Sequence, residues 1–106
     1  MAVAPPDRRH VARREYRAPL LFRPSAVQPG EALDISELGT SFLSGQAVPH
    51  GTALEVFLVN RNVQLNGTVR YCHAEPDGRF RIGVDFDKPE PELVEVLTLA
   101  WERRNE

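Results

Sequence analysis

Hydrophobic and polar positions along this chain change period only once, near residue 90. Before that point the pattern is short and mostly alternating. Leu20–Arg23 reads as a brief strand, preceded by Pro19, which biases Ala18 towards extended geometry. Arg13–Arg17 is compatible with a short turn. Pro24, Ser25, Pro29 and Gly30 mark a loop. Ala32–Ser36 alternates, with Leu33 and Ile35 on one face and Asp34 and Ser36 on the other. Gly39 interrupts that run and Ser41–Leu43 resumes it, which predicts a hairpin-like corner with Gly39 at the bend. Leu54–Val59 is the strongest strand and Asn60–Asn62 turns it. Val63–His73 follows, with Val63, Leu65, Val69 and Tyr71 in core phase and Gly67 as an expected bulge or bend. Pro76-Asp77-Gly78 is a turn. Phe80, Ile82, Val84 and Phe86 then alternate with Arg81, Gly83 and Asp85, the signature of a half-buried strand.

From residue 91 the spacing becomes helical. Leu93, Val96, Leu97, Ala100 and Trp101 recur at three and four. Pro91 suits a first helical turn, Glu92 and Glu95 suit its positive end, and Arg103 and Arg104 suit the other. Trp101 reads as a core or barrel-capping anchor. Six short antiparallel strands with regular turn signals and one closing helix predict a mainly β fold, a closed barrel or a sandwich. Residues 1–12, proline-led and poor in apolar side chains, read as a flexible basic arm. Residues 13–106 form the expected domain.

Composition narrows the function. The 106 residues suffice for one domain and a modest core, and 42% hydrophobic with 26% charged content is ordinary for a folded domain. There is no apolar run of membrane-spanning length and no secretory signal pattern at the start. The single cysteine, Cys72, rules out an internal disulfide and suggests a reducing, cytoplasmic setting. It reads as a small buried hydrophobe.

The formal net charge of −2 hides an asymmetry. Residues 1–23 carry Arg8, Arg9, Arg13, Arg14, Arg17 and Arg23 against Asp7 and Glu15, a net of +4, and the remainder nets −6. A basic arm on an acidic body argues against DNA or other long polyanions, which need an extended positive face. It fits a small anionic ligand better. A single-stranded nucleic-acid barrel is disfavoured as well. Such surfaces expose aromatics along a basic groove, whereas most of the eight aromatics here are in core phase. Catalysis finds little support. His10, His50 and His73 lack metal-ligand spacing, Cys72 lacks a partner base, and there is no phosphate loop or nucleophile elbow.

Two stretches remain to carry chemistry, Arg13-Arg14-Glu15-Tyr16-Arg17 and Asp34-Ile35-Ser36-Glu37-Leu38-Gly39. Together, in this order, they resemble the PilZ domain family. That family is marked by two arginines separated by three residues, then Asp or Asn, any residue, Ser, two residues and Gly. The strand pattern, the Arg79–Phe86 run and the final helix are also similar to the family, so the resemblance spans about residues 9–104.

It implies a six-stranded antiparallel β-barrel with a C-terminal helix that binds cyclic di-GMP, a ligand and not a cofactor. The residue chemistry agrees. Arg13 and Arg17 can meet phosphate oxygens or the O6/N7 edge of guanine, and can stack on the bases. Asp34, acceptor-only when ionised, suits the N–H donors of guanine. Ser36 can donate or accept, or simply form the turn, and Gly39 permits a bend and close backbone approach. Arg9 repeats the four-residue spacing with Arg13, so the register of the arm is open and Arg9 and Arg14 remain second candidates. Arg70 or Tyr71 can stand beside a base, or belong to the barrel.

The expectation is a cyclic di-GMP receptor whose arm is ordered by ligand, with output through another protein or a second copy of the chain. A PilZ-like interaction subunit that acts without nucleotide is the first alternative.

Overall fold

The strands of this chain curl round until the first meets the fourth. The computed structural model describes residues 13–59 and 63–104. The strands are β1 (Arg14–Arg23), β2 (Gln28–Ser36), β3 (Gly39–Ser44), β4 (Ala53–Leu58), β5 (Val63–Ala74) and β6 (Phe80–Phe86). They close in the order β1-β2-β3-β6-β5-β4, every pair antiparallel, and α1 (Pro91–Arg104) follows. The barrel with a C-terminal helix is therefore as the resemblance implied. The expected arm, residues 1–12, the Asn60–Asn62 turn and the side chain of Trp101 lie outside the described residues.

Closure removes both sheet edges, so inward positions must fill one core. Phe22 and Phe42 sit at its centre with ring centroids 4.7 Å apart, surrounded by Leu20, Ile35, Val56, Leu58, Val69, Ile82 and Val84. Val48, from the loop before β4, joins them. The loop is tied down by Gly51 N–H donating to Val69 O and Val69 N–H donating to Thr52 O. Gly51 and Gly78 take positive φ, which glycine adopts without a Cβ penalty.

Four local readings of the sequence change here. First, β1 begins at Arg14, so the arginine run is extended strand and not a turn. Pro19 is accommodated because β1 pairs with β4 only over Leu20–Arg23, and on that side the missing N–H of Pro19 costs no ladder bond. Second, β2 starts at Gln28, so Pro29 and Gly30 are strand residues, paired with Leu21 and Leu20.

Third, the strands slip register at places the alternation did not reveal. Leu33 is skipped between the Ala32↔Phe42 and Asp34↔Ser41 pairs. The slip puts Ala32 and Ile35 in the barrel's core cluster, while Leu33 is buried outside that cluster. Gly67 is in register, and the irregularity of β5 falls three residues later, between Val69 and Tyr71. That turns Tyr71 out of the core phase and Cys72, half-buried, towards the core. Fourth, α1 buries Val94, Leu97 and Thr98 against β1 and β2, whereas Val96 is 63% exposed. The inward stripe is centred one step away from the one the apolar spacing predicted.

The β2–β3 turn is held from outside as well. Leu38 O accepts Phe86 N–H and Glu37 O accepts Glu90 N–H, at 2.8 Å each, so the end of β6 and the approach to α1 clamp it. Gly39 supplies close approach and not a bend. It is the first residue of β3, its φ is ordinary, and a Cβ there would stand 2.1 Å from Val84 O. Since a backbone carbonyl cannot swing aside, Gly39→Ala is expected to cost about 3 kcal/mol, the upper end for overpacking. Gly45→Ala, which meets nothing within 4 Å, should stay within about 0.5 kcal/mol of wild type. Urea unfolding of both variants checks the contrast.

Candidate functional site

From Tyr16 onward β1 alternates in burial, with Tyr16, Leu20 and Phe22 in the core, although its pairing with β2 slips between Glu15 and Ala18. Arg13, Glu15 and Arg17 consequently share the outer face, and Arg14 takes the opposite one. Register carries that outer face across the barrel. Glu15 pairs with Asp34, Asp34 with Ser41, Ser41 with Gly83, and Gly83 with Tyr71. In a parallel row Glu31 pairs with Leu43, Leu43 with Arg81, and Arg81 with His73. The site is a patch on the barrel wall, spread over β1, β2, β3, β6 and β5.

Asp34 is its centre. Its carboxylate, with 17% of the side chain exposed, takes one arginine on each oxygen. Arg13 Nη1 donates to Oδ1 at 2.8 Å and Arg81 Nη2 donates to Oδ2 at 3.2 Å. Both arginines are over a third exposed, so each pair is worth no more than about 1 kcal/mol. Contacts that weak hold a geometry yet yield readily to a better-charged partner. Arg17 Nε donates to Glu15 Oε2 over a long 3.4 Å. Next to this cluster lies a depression of about 340 Å³, lined by Leu33 and Leu43 and by Arg17, Arg79 and Arg81. The slip at Leu33 is what leaves its side chain there. Arg79 is shared between Asp77 and Glu31. The Asp77 carboxyl is held below its usual 3.8 because it accepts the Arg79 backbone N–H and then its guanidinium.

The far end of the row is aromatic. Tyr71 and His73 stack at 4.8 Å with 26° between their planes. The Tyr71 ring lies over Gly83, so close that a Cβ on Gly83 would fall 2.0 Å from Tyr71 Cε2. Beneath the patch, Ser41 is fully buried, and its Oγ has no hydrogen-bond partner among the described residues.

Of the residues that the sequence brought forward, Arg13, Arg17 and Asp34 converge on this patch. Ser36 is buried in the turn, where its Oγ accepts Leu38 N–H at 3.2 Å and reaches Gly39 O at 3.5 Å. Gly39 shapes the same turn. Arg14 is separated from the others, because its Nη1 donates to Thr98 Oγ1 of α1 at 3.0 Å. Arg9 lies outside the described residues, and Arg70 is exposed where β5 slips register. Arg81, Arg79, Leu33, Leu43 and Ser41 had not been singled out as site residues. The polar phase of β6 marks Arg81 as outward-facing, but only the β3–β6 pairing sets it beside Asp34. No group of three or more His, Cys, Asp and Glu among the described residues could hold a metal ion. No helix among them is long and apolar enough to cross a membrane.

No family model and no curated protein matches the chain. Solved structures do. The inhibitor of motility MotI/DgrA from Bacillus subtilis is similar at TM-score 0.69 and 16% identity, over 93% of this chain and 52% of that one. YcgR from Escherichia coli in complex with c-di-GMP is similar at TM-score 0.66 and 15% identity, over 93% and 48%. The PilZ domain of YcgR with c-di-GMP is similar at TM-score 0.65 and 16% identity, over 93% and 95%. The chain thus has the fold of a PilZ domain. It spans about half the length of the first two proteins and nearly all of the isolated domain.

Arg14 makes a prediction that separates fold from site. Arg14→Ala removes a charge-assisted bond to a buried hydroxyl, and should lower stability by about 1 kcal/mol while leaving binding at the Asp34 patch unchanged. Chemical unfolding read beside a ligand titration tests both halves.

Proposed function

We propose that this protein is a cyclic di-GMP receptor and that the Asp34 patch is its binding site. One observation carries the reading. Arg13, Arg17 and Asp34 come from two separate stretches of sequence and meet on one outer face, in a fold shared with YcgR structures that contain c-di-GMP. The ligand has two phosphodiester charges and two guanines. Arg13 and Arg17 supply forked donors for the phosphates or for the O6/N7 edge. Asp34 supplies an acceptor for the guanine N–H groups. Tyr71, face-on over Gly83, offers a ring beside the site for stacking. Ser36 and Gly39 act through the turn that holds Asp34 in place.

The protein works by ligand exchange at weak contacts. Arg13 leaves Asp34 for a phosphate, and a free oxygen of Asp34 turns to a base. The basic arm, residues 1–12, is gathered onto domain 13–106 in the same step, with Arg9 adding charge. The rearranged surface is read by a protein partner or a second copy of the chain.

Arg17 gives the cleanest test because its only ion pair among the described residues is exposed and long. Calorimetric titration with cyclic di-GMP should show Arg17→Ala binding roughly 10- to 100-fold more weakly than wild type, with unchanged unfolding. Equal affinities would overturn the site. A wild type that does not bind at all would overturn the receptor reading and leave an interaction module.

A further inference from the structure

We propose that Arg81 is a specificity-determining residue of this site, one that holds the Asp34 carboxylate in the attitude that accepts guanine and refuses adenine. The inference rests on the nucleotide-binding reading above. It begins from an asymmetry between the two arginines on Asp34. Arg81 lies inside β6, with its backbone paired to Leu43 on one side and His73 on the other. Arg13 precedes the first β1–β2 pair, Arg14↔Ile35, and stands outside the ladder. The two take different oxygens, Oδ1 for Arg13 and Oδ2 for Arg81. A ligand that draws Arg13 away therefore frees Oδ1, while Oδ2 stays anchored to the barrel wall.

That division matters for base recognition. An ionised carboxylate only accepts, so it matches the adjacent N1–H and N2–H donors of guanine. Adenine presents an N1 lone pair beside its N6 donor, and a fixed carboxylate meets that lone pair with repulsion. A carboxylate free to rotate off the base edge loses both the attraction and the refusal. Discrimination then depends on what stops the rotation, and after Arg13 has left, Arg81 is the arginine that does so.

A separate observation points to the same place. Ser41, next to Asp34 in register, keeps a fully buried hydroxyl with no partner among the described residues. Buried hydroxyls are ordinarily satisfied. This one lies beneath the row through Asp34, as its register partner on β3.

The test compares cyclic di-GMP and cyclic di-AMP by calorimetry on wild type, Arg81→Ala, Arg81→Lys and Arg13→Ala, with thermal melts as a fold check. Arg81→Ala should weaken cyclic di-GMP about tenfold or more and strengthen the weaker cyclic di-AMP binding, so the ratio between them falls. Arg81→Lys, which keeps one charged donor, should recover part of that ratio. Arg13→Ala should lower affinity for both ligands and leave the ratio close to that of wild type. Arg81→Gln provides the same comparison if Arg81→Ala loses its cooperative melt. Unchanged affinity and ratio in a folded Arg81 variant would overturn the role of Arg81 while the receptor reading stands. A wild type that binds neither ligand would overturn both.

Discussion

Closure of the barrel is the constraint on which everything else depends. Once β1 meets β4, each strand has one face in a shared core and one outside, and no edge is left to absorb an error. Every register slip then decides which side chains reach solvent. The slip at Leu33 keeps Ala32 and Ile35 inside and aims Asp34 outward beside Ser41. The slip after Val69 sends Tyr71 out over Gly83. Without these two irregularities the apolar phase would run on, and Tyr71 would compete for room in a core already filled by Phe22 and Phe42. The outer patch around Asp34 is thus built from the places where regular alternation fails.

The energetics of the patch differ from those of the core beneath it. Its core is secured by large buried side chains, whose truncation costs about 3–5 kcal/mol each for phenylalanine. The ion pairs on its surface are worth at most about 1 kcal/mol apiece. Arg13, Arg17 and Asp34 can therefore change partners without drawing on the stability of the barrel. Arg14 belongs to the other category. It bonds to Thr98, which in turn donates to Val94 O at 2.8 Å within α1, so it fastens strand to helix. Two neighbouring arginines of one motif therefore have different partners, because a strand sends consecutive side chains to opposite faces.

A good part of this was legible in the chain. Alternation of Phe80, Ile82, Val84 and Phe86 identified β6, the change of period at Pro91 identified α1, and the glycine-containing turn at residues 76–78 appeared where expected. The spacing of Arg13, Arg17 and Asp34 brought forward residues that the barrel sets on one outer face. What misled was local. Pro19 and Pro29 argued for breaks, yet strands tolerate proline where no partner needs its N–H, and that depends on where β4 ends and β2 begins. Gly67 argued for a bulge, yet it is needed because a Cβ there would lie 2.3 Å from Asp85 O of the neighbouring strand.

The sequence by itself determined the class of the fold, the two polar stretches and the basic character of the first of them. Each of these is set by side-chain type and by spacing within a few residues. Only the tertiary structure decided that Arg81 shares Asp34 with Arg13, that Tyr71 faces outward, and that Arg14 turns to the helix. Those facts follow from strand order and register, in which residues 47 positions apart, such as Asp34 and Arg81, come within hydrogen-bonding distance. Periodicity reports which face a residue occupies. It carries no information about which strand lies next to it, and in a closed barrel that adjacency is what assembles a site.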